Sequence, residues 1–274
     1  MRFIGIIPAR YASTRFPGKP LAMLGDKPMI QRVYEQAKKA LDEVVVATDD
    51  ERIYQAVEQF GGQAIMTRKD HKCGTDRCLE AFDKIVESQK SKVESRSASG
   101  VESRSASGVN KDDKETVIIN IQGDEPFIQP EQIEAIKACF PTEIATLVKP
   151  FTEEDGLAAL ENPNTPKVVF SRETGNALLF SRSVIPYLRG IDRQDWLKQH
   201  KHYKHIGMYA YRADILREIT RLPQTEAELA ESLEQLRWLE NGYQIRVAET
   251  NVQSIGIDTP EDLEKARHFL EEMG

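Results

Sequence analysis

Apolar and polar positions along the chain resolve into short buried runs separated by helical stripes. Residues 2–7 (RFIGII) form an apolar run that stops at Pro8, as a buried strand does, and residues 43–48 (EVVVAT) form a second. Residues 8–20 are rich in Pro, Gly, Ser and Arg and read as a loop. Residues 28–41 place Met29, Ile30, Val33, Tyr34 and Ala37 at helical spacing, with Pro28 suited to a first turn. Asp49 and Asp50 offer N-caps for a helix bearing Ile53, Ala56, Val57 and Phe60, closed by Gly61 and Gly62. A strand near 63–66 follows, then a helix from Asp76 to about Glu87, a strand at 116–121 (TVIINI) and a helix at 130–140. Strands alternating with helices of this length predict an α/β fold, its mostly parallel sheet covered on both faces.

Beyond residue 140 the pattern changes. Residues 167–170 (KVVF) and 177–180 (ALLF) predict an antiparallel hairpin with Gly175 in the turn. Residues 206–211 and 244–248 read as strands, and 227–240 as one helix through Leu229, Leu233, Leu236 and Leu239. Thr259-Pro260-Glu261-Asp262 opens a final helix, with a cap, a first-turn proline and acids at the positive end. Residues 88–115 break the alternation. VESRSASG occurs twice there, at 93–100 and 101–108. Such a segment buries too little apolar surface to offset chain entropy, so 88–115 reads as a disordered surface insertion.

Composition narrows the function. The 274 residues carry 37 Lys plus Arg against 44 Asp plus Glu, a net charge of −7 that argues against general nucleic-acid or anionic-membrane binding. No apolar run approaches the roughly 18–20 residues of a membrane-spanning helix, and the first ten residues do not make a signal peptide. Cys73, Cys78 and Cys139 form no CxxC pair or disulfide framework, which fits a reducing cytoplasm. The charge is uneven, however. Residues 1–25 contain Arg2, Arg10, Arg15 and Lys19 and no acid, leaving −11 for the rest. An acidic chain that opens on an exclusively basic segment predicts a local anion site.

The loop at 8–20 follows the first strand, at the sheet edge where parallel α/β proteins place ligands. Arg10, Arg15 and Lys19 can neutralise a polyphosphate, and Gly18 permits close backbone approach. It is not a Walker A loop, and no GxGxxG occurs. Asn120-Ile-Gln-Gly-Asp-Glu-Pro126 closes the 116–121 strand; a carboxylate there, beside a phosphate loop, suits Mg²⁺, and a turn or capping aspartate is an equal reading. Asp258 is likewise placed either for a metal or to cap the last helix. His71-Lys-Cys-Gly-Thr-Asp-Arg77 is a polar turn opening a helix, able to hold a ribose or base or simply to cap. His200, His202 and His205 lack a suitably spaced partner for zinc.

Together these segments resemble the 3-deoxy-manno-octulosonate cytidylyltransferase (CMP-Kdo synthetase) family. The resemblance is carried in family order by IPARYASTRFPGKPL (7–21), HKCGTDR (71–77), NIQGDEP (120–126), ALLFSR (177–182), HIGMYAYR (205–212), ESLEQLRWLE (231–240) and GIDTPEDLEKAR (256–267). Cys73 stands where the family motif usually has serine, and the duplicated octapeptide is no part of the family core. The resemblance implies a single Rossmann-like nucleotidyltransferase domain over 1–274, with a smaller α/β lobe at about 150–225 that dimerises and helps bind sugar. It implies transfer of CMP from CTP to the anomeric 2-hydroxyl of Kdo, releasing pyrophosphate and activating Kdo for lipopolysaccharide or related glycans. Pro8, Ala9, Arg10, Arg15, Lys19, Cys73, Gly74 and Thr75 are then expected at the nucleotide, and Asp124 and Asp258 at Mg²⁺, compatible with two metal ions. Arg10, Lys19, Asp124 and Asp258 carry catalysis. Gln122, Arg182, His205, Tyr209, Glu231 and Gln235 are expected at the sugar, Arg182 for its carboxylate and His205 and Glu231 for its hydroxyls. A cytosolic homodimer is expected. The alternatives are a cytidylyltransferase for another acid sugar, such as a sialic acid or amino-Kdo, and a non-catalytic nucleotide-binding protein.

Overall fold

The computed structural model describes residues 1–12, 15–96, 111–252 and 256–273. In chain order its elements begin with β1 (Arg2–Ala9), a two-strand ribbon of β2 (Met23–Leu24) and β3 (Lys27–Pro28), α1 (Met29–Lys38), β4 (Glu43–Thr48), α2 (Glu51–Gln59) and β5 (Ala64–Met66). Then follow α3 (Gly74–Arg96), α4 (Lys111–Glu115), β6 (Thr116–Asn120), α5 (Pro130–Lys137), β7 (Ile144–Pro150), α6 (Gly156–Glu161), β8 (Lys167–Phe170) and β9 (Ala177–Ser181). The remainder is α7 (Trp196–Gln199), β10 (Tyr203–Arg212), α8 (Ala213–Ile219), α9 (Glu226–Glu231), α10 (Glu234–Glu240), β11 (Ile245–Glu249) and α11 (Pro260–Met273). The chain divides into two compact units, and the first is discontinuous: 1–130, 212–220 and 254–274. The second comprises 131–211 and 221–253, and so extends beyond the 150–225 lobe expected from the sequence on both sides.

In the first unit β6, β1, β4 and β5 lie side by side, every pair parallel. The chain leaves β1 through α1 toward β4 and β5, then returns through α3 to β6 on the other flank of β1. The order therefore reverses between β1 and β6, the position at which open α/β sheets form a ligand crevice. The strands read as continuous apolar runs because both faces are covered: Ile4, Ile6, Val46, Ala47 and Val117 to Ile119 are all buried. Asp50 caps α2 by accepting from the Arg52 N–H, as its position predicts.

Two helix expectations are corrected in this unit and the next. The helix predicted to end near Glu87 runs to Arg96 as α3, and 111–115 is helical as well, so the polar 88–115 stretch is not structureless at its flanks. Its residues after Val86 are unobjectionable helix formers, and low hydrophobicity alone does not break a helix already nucleated. Most of the duplicated octapeptide lies outside the described residues. In the second unit, the single helix predicted for 227–240 is two, α9 and α10, broken where Ser232 adopts φ 51. Arg182 causes the break: its guanidinium takes the carbonyls of Glu231 (2.5 Å) and Ser232 (3.3 Å), which a continuous helix would use internally. Leu229 is consequently exposed, against the reading of an apolar stripe.

The second unit's sheet pairs β11 parallel to β7 and β7 antiparallel to β10, with the β8–β9 hairpin joined through Lys167 opposite Lys204. Gly175, at φ 68, occupies the hairpin turn as expected.

Candidate functional site

A cavity of about 450 Å³ opens in the first unit at the carboxyl ends of β1 and β6, a size that accommodates a nucleotide. Pro8, Ala9, Arg10, Arg15 and Lys19 line it from the β1 side, Cys73 and Gly74 from the start of α3, and Gln122 and Asp124 from the turn after β6. Asp258, in the loop two residues before the start of α11, completes it. Thr75, expected with them, is buried in the first turn of α3 and is not part of the lining. Ala12, Pro20, Arg77 and Gly123 line the cavity although none had been singled out from the sequence.

Backbone geometry brings these loops together. Gly18, at φ 74, precedes the single helical turn Lys19–Leu21 and lets the chain reverse. A Cβ at Gly123 would stand 3.1 Å from the Pro8 carbonyl oxygen, so a larger residue would push the turns after β1 and β6 apart by a few tenths of an ångström. The Ile257 N–H donates to the Asp124 carbonyl at 2.9 Å, holding the Asp258 segment against the turn after β6.

The charges then pair. The Lys19 ammonium donates to Asp124 Oδ2 at 2.7 Å and to Asp258 Oδ1 at 3.1 Å, and Arg15 reaches Asp258 Oδ2 at 3.1 Å. Asp258 does not cap α11; Thr259 and Asp262 do so reciprocally, with Asp262 N–H to Thr259 Oγ1 at 3.2 Å. Both ambiguous aspartates thus turn their carboxylates to one cationic atom. Two such carboxylates in a cavity lined by Arg10, Arg15 and Lys19 have the chemistry of a donor set for Mg²⁺, which takes one or two carboxylates completed by phosphate oxygens and water. Among the described residues no group of three or more His, Cys, Asp or Glu side chains gathers into an all-protein metal cage. Burial, with Asp124 beside it, pushes the Glu125 carboxyl up to about 7.

The wall formed by 71–77 is rigid. Arg77 is almost fully buried and donates to Thr67 Oγ1 at 2.5 Å and Asp49 Oδ2 at 3.0 Å, tying α3 to the ends of β4 and β5. His71 pairs with Glu80 one turn into α3. Burial opposes ionisation of Glu80, yet Lys84, the Arg68 N–H and His71 together hold its carboxyl at about 2. Cys73 Sγ accepts from the Asp76 N–H at 3.4 Å, so the sulfur occupies the capping position a serine hydroxyl would take.

The residues expected at the sugar divide between the units: Gln122 lines the cavity, and the other five belong to the second unit. There Glu231 accepts from Ser181 Oγ at 2.6 Å and from the Arg182 N–H at 2.8 Å. Arg182 spends one donor of each guanidinium nitrogen on the carbonyls of Glu231, Ser232 and Pro163, which leaves two N–H groups for a ligand. The Thr146 hydroxyl donates to the Met208 carbonyl at 2.8 Å, so at 3.0 Å it accepts from His205 Nε2–H and leaves the Nδ1 lone pair available. Burial pushes the His205 imidazole down to about 4. Phe180 and Tyr209 pack against its ring, and Tyr209 in turn meets Trp238 edge to face. On α10, Gln235 Nε2 and Trp238 Nε1 are buried without a hydrogen-bond partner, unusual for buried donors. Trp238 carried no polar signal in sequence, where it reads as core.

The cytidylyltransferase family model matches residues 4–98 and 85–255. A 3-deoxy-manno-octulosonate cytidylyltransferase of Phocaeicola vulgatus is 59% identical over 275 residues, covering 99% of this chain and 98% of the relative. One from Bacteroides thetaiotaomicron is 58% identical, with 98% of each chain covered. The structure of a CMP:2-keto-3-deoxy-manno-octonic acid synthetase complexed with CTP superposes with a TM-score of 0.81 at 40% identity, each chain fully covered. A cytidylyltransferase from Leptospira borgpetersenii shares the fold at a TM-score of 0.57 and 15% identity, over 99% of this chain and 87% of its own. With the motifs in order, near-complete coverage and identities approaching 60%, the chain belongs to the 3-deoxy-manno-octulosonate cytidylyltransferase family.

Proposed function

We infer that this protein transfers CMP from CTP to the anomeric 2-hydroxyl of Kdo, releasing pyrophosphate and activating Kdo for lipopolysaccharide or a related surface glycan. The observation that carries this reading is the Lys19 ammonium held between Asp124 and Asp258 in the cavity where the sheet order reverses. Attack of the sugar hydroxyl on the α-phosphorus forms one P–O bond and breaks the bond to pyrophosphate. Two anions must approach, a sugar carboxylate and a triphosphate, so positive charge is the chief catalytic requirement.

Arg10, Arg15 and Lys19 supply that charge from the protein, with Pro8, Ala9, Cys73 and Gly74 around the nucleotide and Thr75 buried behind them in the first turn of α3. Asp124 and Asp258 would hold Mg²⁺, which when bound neutralises phosphate oxygens and stabilises the developing charge. Lys19 then exchanges carboxylate partners for phosphate ones. Family assignment adds Gln122, Arg182, His205, Tyr209, Glu231 and Gln235 as sugar-recognising residues. The neutral His205 and the unsatisfied Gln235 amide are suited to hydroxyls. No helix among the described residues is long and apolar enough to cross a membrane; with a soluble sugar and nucleotide as substrates, the cytoplasm is the compartment that fits. Exposed Leu178 and Leu179 on β9 fit a homodimer contact.

Pyrophosphate release, measured with CTP, Mg²⁺ and a panel of Kdo, amino-Kdo and sialic acids, tests the reading. Preference for Kdo supports it. Preference for another acid sugar replaces the substrate, and no release with any of them refutes the transferase assignment.

A further inference from the structure

Tyr11, in the loop after β1, is engaged from two sides. Its carbonyl accepts the Gly18 N–H at 2.9 Å. Its ring lies so close to Gly18 that a Cβ there would meet it at 3.1 Å. On another side the Arg52 guanidinium covers the ring, with Cζ 3.3 Å from the centroid. Arg52 is itself pinned: Nε and Nη2 donate to the two oxygens of Asp50 at 2.9 and 2.7 Å. Asp50 Oδ1 also accepts the Arg52 N–H at 3.0 Å as the N-cap of α2, and α2 is anchored in the core by Ile53 and Val57. A continuous line of contacts thus runs from a core helix through Asp50, Arg52 and Tyr11 to Gly18, the residue immediately before Lys19.

We propose that Arg52 and Tyr11 clamp the Gly18–Lys19 turn in its working conformation before nucleotide arrives, and that both are positioning residues for the transfer reaction. A turn ordered in advance spares the bound state the entropy of ordering it, which otherwise is subtracted from affinity. The clamp needs a planar cation that stacks with one face while its edge binds a carboxylate at two points, which arginine does and lysine does not. Arg52 does not line the cavity, and its contact to the turn runs through Tyr11. The functional part of the proposal rests on the reading of this turn as the triphosphate site.

Hydrogen exchange of the ligand-free full-length protein separates the two questions. In Arg52→Gln, exchange at the Gly18 amide is expected to rise about two- to fivefold, the size of an exposed cation–π contact. The CTP KM should rise by a similar factor with kcat retained. The Arg52 side chain is 58% exposed, and the substitution leaves the capping N–H in place, so the thermal midpoint should not move. Tyr11→Phe keeps the ring and should match wild type. Tyr11→Leu should resemble Arg52→Gln, and the double variant should be no worse than either single one. Unchanged exchange at Gly18 in Arg52→Gln overturns the clamp, as does a rise spread over all of α2 with a lowered midpoint. Faster exchange at Gly18 with an unchanged CTP KM leaves the clamp standing and overturns the reading of the turn as the triphosphate site.

Discussion

Replacing Asp258 by Asn should have opposite effects on nucleotide binding and on turnover. Asp258 accepts from Lys19 and Arg15 at 3.1 Å each, and its side chain is 47% exposed. Each of these solvated pairs contributes about 0.5 kcal/mol. The substitution removes the Asp258 carboxylate from Arg15 and leaves Lys19 on Asp124 at 2.7 Å, so both cations become more available to phosphate. Removing the carboxylate also ends its repulsion of the triphosphate, about 1 kcal/mol for charges roughly 4–5 Å apart in a water-like medium. Metal-free CTP should therefore bind Asp258→Asn more tightly by about 1–2 kcal/mol, roughly 5- to 30-fold. With Mg²⁺ present the same variant should lose at least about 100-fold in turnover, close to 3 kcal/mol of metal-based stabilisation. Calorimetric titration of CTP in EDTA and in Mg²⁺, beside a pyrophosphate-release assay, reads both. Weaker CTP binding in EDTA would show that Asp258 supports the nucleotide directly and sink the argument. Near-wild-type turnover at saturating Mg²⁺ would remove Asp258 from the metal site.

Three further outcomes are expected. Glu228 and Arg237 form a buried bidentate pair at 2.6 and 2.8 Å, so Glu228→Ala, which removes the guanidinium's bidentate partner and leaves it the more distant Glu234 at 3.7 Å, should cost about 3 kcal/mol in denaturation experiments; a loss below 1 kcal/mol would contradict that. His205 titrates near 4 when folded against an ordinary 6.5, so the unfolded chain binds the extra proton first. Stability is therefore lost as pH falls from about 6.5 toward 4, and His205→Gln should lose less thermal midpoint than wild type between pH 7.5 and 5. Equal losses would show that His205 is not the group responsible. Leu178→Asp on β9 should convert a dimer to monomer in sedimentation velocity, and a dimer that persists would move the interface elsewhere.

The parallel sheet and the basic loop beside its cavity were legible because each rests on a local signal. Val44, Val45 and Val46 form a run that only a doubly covered strand buries, and the absence of acids before residue 25 marks the basic turn. The pairing of Asp124 with Asp258 was not legible from spacing. It depends on a backbone hydrogen bond between segments far apart in the chain; placement alone left each aspartate equally readable as a metal ligand or as a capping or turn residue, and the family resemblance favoured the metal. The division of 227–240 was hidden for a different reason: the leucine spacing continues across it, and the break is imposed by Arg182 from another element. Arg77 escaped notice because sequence shows a charge as solvent-facing until Asp49 and Thr67 are seen to enclose it. The unsatisfied donors of Gln235 and Trp238 are a property of packing and leave no trace in composition.

The discontinuity of the first unit bears on how the enzyme comes into being during synthesis. The chain leaves that unit after Pro130 and returns to it finally only after residue 253, just ahead of Asp258. A nascent chain displaying Lys19 and Asp124 has the basic turn and one carboxylate, and it must await the whole second unit before acquiring the other. A prematurely terminated product ending anywhere in 131–253 lacks Asp258 and with it one wall of the cavity. Chain order thus makes the complete cavity a late event, reached only once the whole second unit has been synthesised.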